Sequence, residues 1–213
     1  MNITKLGHCC LLIEHQDKRI LTDPGNWTSE KTADVANIDI IIITHEHSDH
    51  YHIDSLKKLK ENNPDAEIIT NSAVADLMKD EGMEAQVIEG KMEDQVLDID
   101  LKAIDCAHGF IHKDIELPQN TGYFIDETLF IPGDSLYNPE QWKIKVLAMP
   151  IGGPWMTIGE SINYGLEVAA DITFPVHDGM LAFPGPYKAV SEMLFQKHDL
   201  DFKYLQPGDS LTY

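Results

Sequence analysis

Basic residues are scarce: 16 Lys and Arg stand against 36 Asp and Glu, a formal net charge of -20 over 213 residues. That balance disfavours nucleic acid and anionic membranes as partners, because both need basic patches to displace counterions, and it favours solubility. Cysteine is scarcer still. Three residues, an odd number with Cys9 and Cys10 adjacent, make no disulfide framework. Cys9 and Cys10 lie in an apolar run and read as strand packing, and Cys106 reads as a small buried hydrophobe. No apolar run approaches the roughly 18 residues of a membrane span, and the N-terminal MNITKLGHCCLLIEH has no basic region leading into a long apolar core. A cytoplasmic location is the expectation. No repeat of roughly 20–50 residues is evident. What is present is ordinary globular composition, with 43% hydrophobic and 24% charged residues, which excludes a disordered chain and suits a single domain over residues 1–213.

Most of the chain alternates strands and helices. ITKLG, CCLLIEH and KRILTD form a strand meander ending in the turn Asp23-Pro24-Gly25. Residues 26–38 lack periodicity. A helix over Asp54–Leu59, capped by Asp54, precedes a strand at Glu67–Thr70. Ser72 caps the helix AVADLMKDE, which Gly82 stops. A strand at Gln86–Glu89 and an exposed turn at Lys91–Asp94 close the first half.

The second half opens with an alternating strand, Gln95–Asp105, and continues through the loop Phe110–Asn120 to a hairpin turning at Glu127 and ending at Asp134. Lys145–Met149 and Ile172–Val176 are strands. The helix between them begins in a capping box, Thr157 with Glu160, and reaches Ala170. A helix over Tyr187–His198, with Val190, Met193 and Leu194 on its apolar side, leads to a last strand at Phe202–Leu205. The alternation predicts a layered α/β domain rather than a bundle or a β-sandwich.

Chemistry concentrates in IIIITHEHSDH, Ile40 to His50. Four β-branched residues fit a strand buried on both faces. The chain then opens into metal-ligand side chains. His45 and His47, two apart in extended backbone, converge on one ion, while Asp49 and His50 address a second. His108, Asp134 and His177 each follow a predicted strand end, as His8 and Asp23 do. A carboxylate bridges two cations and a neutral imidazole does not readily do so, which makes Asp134 the bridge. One ion then takes His45, His47 and His108, the other Asp49, His50 and His177, and each keeps room for water. Zinc is the default cation for His and Asp ligands, with manganese or iron suited to the same set.

THEHSDH, with the later AHG, PGDS and PVHDG, resembles the metallo-β-lactamase superfamily in order and spacing across nearly the whole chain. GHCC, LTDPG, PIGG and LQPGDSLTY are similar to its small metal-dependent hydrolase branch, which includes L-ascorbate-6-phosphate lactonase-like proteins. Cys9 departs from that branch, which often has a small polar residue there, and PIGG runs into Pro154-Trp155; both bear on the substrate. The resemblance implies a four-layer αββα sandwich of two mixed sheets, with metals at one edge and Asp23 supporting the metal loop. The complete ligand set on an acidic frame points to hydrolysis of a small-molecule ester, lactone or phosphoester by metal-activated water. Asp49 would orient the nucleophile, and His8 and His112 are candidates to protonate the leaving group. A ribonuclease Z-like phosphodiesterase and a non-catalytic metal-binding sensor or scaffold are the competing readings.

Overall fold

A computed structural model describes residues 1–213. The chain begins as the antiparallel meander β1 (Asn2–Gly7), β2 (Cys10–His15) and β3 (Lys18–Thr22). A 3-10 turn at Asn26–Thr28 and α1 (Ser29–Thr32) cross to β4 (Ile40–Ile42), α2 (Ile53–Asn62), β5 (Glu67–Thr70), α3 (Ser72–Asp80) and β6 (Gln86–Val87). The second half contributes β7 (Glu93–Val96), β8 (Ile99–Asp105), β9 (Thr121–Ile125), β10 (Leu129–Ile131), β11 (Val146–Pro150), α4 (Ile158–Val168), β12 (Ile172–Val176), α5 (Gly185–Lys197) and β13 (Asp201–Phe202), before β14 (Ser210–Thr212) returns to the first sheet.

Two seven-stranded sheets result, in the orders β14-β1-β2-β3-β4-β5-β6 and β13-β12-β11-β10-β9-β8-β7. Both are mixed. β3 to β6 pair in parallel, as do β10 to β13, while the remaining pairs are antiparallel. The strand period of two decides the layering. Ile40 and Ile42 enter a cluster shared with Ile125, Val146 and Phe174 of the opposite sheet, whereas Ile41 and Ile43 pack on Leu56, Leu59, Val74 and Met78 of α2 and α3. A third cluster joins the outer face of the second sheet to Ile162 of α4 and Phe195 of α5. Three apolar layers between four layers of structure make the αββα sandwich that the resemblance implied. Each isoleucine of the run is fully buried, a contribution of about 2 kcal/mol apiece. No helix is long and apolar enough to cross a membrane.

The local chemistry differs from the sequence reading at several points. α2 begins at Ile53 with His52 in the cap position and no side-chain cap, so Asp54 lies in the first turn and acts only on the helix dipole. Asn71, not Ser72, caps α3, its Oδ1 accepting from Val74 N at 3.1 Å. Lys91–Asp94 is not simply a turn: Glu93–Val96 pairs with β8 as an exposed edge strand, the chain reversing at Leu97-Asp98, both with positive φ. β6 is two residues long, ending before Glu89, whose carboxylate instead accepts from Ser72 N. The last strand is not Phe202–Leu205: β13 ends at Phe202 and the C-terminal SLT pairs with β1. On α5, Met193 is 58% exposed, because the helix buries Ser191 and Phe195. Phe195 reaches Gly165 of α4, where an added Cβ would stand 2.6 Å from its ring.

Lys5 occupies an inward position of β1, between Ile3 and Gly7, where alternation calls for an apolar residue. It is fully buried. Its ammonium donates to the carbonyls of Pro175 at 2.9 Å and Leu205 at 3.2 Å and pairs with Asp178 at 2.8 Å. Burial lowers its pKa, opposed by Asp178. The pair ties β1 to the loop after β12. Lys5→Met, which strands the largely buried Asp178 carboxylate, is expected to destabilise the fold by about 3–5 kcal/mol. Urea unfolding with an unchanged slope and a lowered midpoint checks it.

Candidate metal centre

Nine side chains singled out in the sequence lie beyond the C-terminal ends of six strands, along one edge of the sandwich. His8 follows β1, Asp23 follows β3, the His45–His50 loop follows β4, His108 follows β8, Asp134 follows β10 and His177 follows β12. Three of them leave their strands in the left-handed region, with φ of 45° at His8, 42° at Asp23 and 57° at His177. Non-glycine residues adopt this conformation at a cost of roughly 1–2 kcal/mol each, and three of the chain's twelve such residues fall here.

The imidazoles share one hydrogen-bond pattern. His45 Nδ1 meets Thr44 Oγ1 at 3.0 Å, His50 Nδ1 donates to Asp23 Oδ2 at 2.9 Å, and His108 Nδ1 donates to the Gly109 carbonyl at 2.8 Å. His177 Nδ1 donates to the Gly152 carbonyl. Each Nδ1 is therefore committed, which leaves the lone pair on Nε2. The four Nε2 atoms and Asp134 Oδ1 are buried and have no hydrogen-bond partner. Buried polar atoms are rarely left this way, and a cation satisfies all five.

Asp134 lies among them. Its carboxylate oxygens stand 3.1 Å from His50 Nε2, 3.0 Å from His177 Nε2, 3.4 Å from His108 Nε2 and 3.9 Å from His45 Nε2. Burial opposes its ionisation, but the His50 and His177 imidazoles hold the carboxyl well below the usual range. His50 is driven the other way from burial, well above its ordinary value, by the buried carboxylates of Asp134 and Asp23. Burial and the neighbouring His50 keep His45 well below its own. His45, His47, His108 and Asp134 offer ligand atoms within 4.8 Å of one another, and so do His8, Cys9, His50 and His177.

Asp49 faces this second group, its Oδ2 lying 2.9 Å from His8 Nε2, 3.5 Å from His177 Nε2 and 3.9 Å from His50 Nε2. Its pKa is lowered, burial being outweighed by the His8 hydrogen bond and by His50. His8 is buried, with its ring 4.4 Å from that of Trp27. His112 is not brought to the centre. Its side chain is 59% exposed, and its Nδ1 accepts from Asp114 N at 3.2 Å.

A shell of supports surrounds these residues. Asp23 Oδ1 accepts from Thr44 N at 2.8 Å, so one buried carboxylate holds both the start of the metal loop and His50. Asn71, the cap of α3, donates to the Thr44 carbonyl at 3.0 Å. Asn120 accepts from Asp134 N at 3.0 Å and donates to the Pro132 carbonyl at 2.9 Å, with the buried Cys106 packed beside it. Gly25 has an ordinary φ but no room: a Cβ there would stand 2.0 Å from the Asp49 carbonyl. The metal loop thus lies directly on the DPG turn.

A cleft of about 280 Å³ opens over the centre, walled by Trp27, Ile111, Trp155 and Met180. Trp155 donates its indole N–H to Asp134 Oδ2 at 3.1 Å. Gly109 accommodates that ring, since a Cβ would fall 2.0 Å from it. The sequence flagged Trp155 through its position after PIGG. It carried no signal for Trp27, in a stretch without periodicity, or for Asn71 and Asn120, whose polarity matters only once distant segments meet.

The profile of the β-lactamase superfamily domain matches residues 2–177. The chain belongs to the metallo-β-lactamase superfamily. Protein Rv0786c of Mycobacterium tuberculosis is 30% identical over 218 residues, spanning the whole of both chains. A UPF0173 metal-dependent hydrolase of Geobacillus thermodenitrificans is 27% identical over 229 residues, covering 99% of each. Among solved structures, Igni18, a metallo hydrolase from the archaeon Ignicoccus hospitalis, superposes with a TM-score of 0.78 at 19% identity, covering 100% of this chain and 97% of its own, which shows the shared fold.

Because Asp23 anchors the metal loop without facing the centre, Asp23→Ala is expected to weaken metal binding by about 10- to 100-fold while the protein stays folded. Competition against a chromophoric chelator measures the loss, and circular dichroism checks the fold.

Proposed function

We propose that this chain is a metal-dependent hydrolase that binds two divalent cations, zinc by default, and acts on a small-molecule ester, lactone or phosphoester. One observation carries the reading: four Nε2 atoms and a carboxylate oxygen, buried and unpartnered, converge beneath an open cleft. His45, His47 and His108 would hold one cation and Asp49, His50 and His177 the other, with Asp134 between them. When bound, the cations supply Lewis acidity and acidify water.

The chain's own groups supply positioning and proton handling. His8 Nδ1 accepts from Gly179 N at 3.2 Å, which places its proton on Nε2, directed at Asp49. His8 thereby fixes the Asp49 carboxylate, whose Oδ2 can orient an attacking water. His8 is a positioning residue in this account, and His112, outside the cleft, has no part in it. Trp27 and Trp155 give the substrate two flat apolar walls, and Trp155 fixes the bridging carboxylate through its indole.

The resemblance of GHCC, LTDPG, PIGG and LQPGDSLTY to the lactonase-like branch supports a lactone, ester or phosphoester as substrate. The excess of 36 acidic over 16 basic residues argues against a ribonuclease Z-like activity on RNA, where phosphates dominate affinity. The open cleft beside a His8–Asp49 pair favours turnover over a sensor or scaffold.

His45→Ala and Asp134→Ala are expected to abolish both metal binding and turnover on a panel of lactones, esters and phosphoesters. Full activity in metal-free protein would contradict the reading. His8→Ala is expected to retain both cations and lower kcat by about 10- to 100-fold with little change in KM, since it removes the support of Asp49 rather than a ligand; metal analysis alongside steady-state kinetics separates the two effects.

A further inference from the structure

The turn joining β1 to β2 delivers more than His8. Its left-handed residue sends the two following cysteines to opposite sides of the first sheet: Cys9 enters the core between the sheets, and Cys10 enters the outer layer beneath the helices. Cys9 therefore comes up under the metal centre. Its thiol faces the His50 imidazole, and burial pushes its pKa up to about 12.

We propose that the Cys9 sulfur is a thiolate ligand of the second cation, beside His50 and His177. The inference rests on the two-cation reading above and adds a soft donor to a centre otherwise built of imidazole and carboxylate. Cys9, His8, His50 and His177 place ligand atoms within 4.8 Å of one another. Zinc bonds of about 2.0–2.3 Å on opposite sides of an ion reach just over 4 Å, so small side-chain rotations close the set. Two of its members, His50 Nε2 and His177 Nε2, are buried without a hydrogen-bond partner and lie 3.1 Å and 3.0 Å from the Asp134 carboxylate. The fourth is already committed: His8 Nε2 is 2.9 Å from Asp49 and its Nδ1 accepts from Gly179. Cys9 is then the remaining donor of the group, available to the cation that Asp49 and the two histidines would hold.

Binding exchanges one proton for one bond. The S–H bond breaks, its proton leaves to solvent, and the sulfur pair forms the bond to the cation with no change of oxidation state. The consequence is selectivity. Thiolate favours zinc over manganese, so the second position discriminates against manganese in a way that an oxygen and imidazole shell does not.

Reconstitution of the full chain with cobalt(II) tests the assignment, because a cobalt–thiolate bond gives an intense near-ultraviolet charge-transfer band that imidazole and carboxylate do not. The wild-type protein should bind two cobalt ions and show the band. Cys9→Ser should lose it while keeping the visible ligand-field absorption, and should bind zinc at the second position about 10- to 100-fold more weakly. A Cys10→Ser, Cys106→Ser double variant, in which Cys9 is the remaining cysteine, should keep the band, and this decides the matter even if Cys9→Ser fails to fold. Two bound cobalt ions without the band in the wild type, or a band that survives Cys9→Ser, would overturn the thiolate ligand and leave the two-cation reading standing. A protein that binds no cobalt would overturn both.

Discussion

The Asp23 carboxylate is the contact on which the site depends. One oxygen takes the Thr44 amide and the other takes His50 Nδ1, so a single buried group registers the end of β4 against an imidazole six residues further along. Removing it frees the loop at its root. The backbone of Asp49 already lies against Gly25 two residues after Asp23, so the DPG turn and the metal loop form one packed unit. The rest of the sandwich holds that unit still. β4 lies between β3 and β5 in a parallel pairing, with isoleucines buried on both faces, and cannot slide without moving an apolar set into the wrong layer.

Layering explains why candidate ligands so far apart in sequence meet. Parallel strands end on the same side of a sheet, and both sheets present those ends to one edge of the sandwich. Two functional halves follow, one from the first sheet, through His45, His47, Asp49 and His50, and one from the second, through His108, Asp134 and His177. Asp134 faces the first half across the gap, and its own support, Asn120, lies in the loop that opens β9. The Lys5–Asp178 pair adds a polar tie between the sheets one residue beyond His177, where apolar packing alone would leave the loop free.

Much of this was legible in the sequence because the evidence was local. IIIITHEHSDH carries its strand, its burial and four candidate ligands in eleven consecutive residues, and the later histidines and Asp134 each follow a recognisable strand. Other features were hidden because their meaning is not local. β14 is three residues long and exists only through pairing with β1, some two hundred residues earlier. Asn71 and Asn120 read as ordinary polar residues until α3 and the β8–β9 loop meet the metal loop. Met193 fits the apolar stripe of α5 by spacing, yet the surface it would cover is occupied by Ser191 and Phe195. His112 fits a site-covering loop by composition, but the chain turns it out to Asp114. Cys9 read as strand packing, and the core position is correct; what the sequence could not show is that the core ends there, against His50.

Anomalous diffraction from crystals of the zinc-loaded protein tests the two-cation centre most directly. The account predicts two peaks flanking the Asp134 carboxylate, one against His45, His47 and His108 and the other against His50 and His177. A single peak, or density away from Asp134, would contradict it.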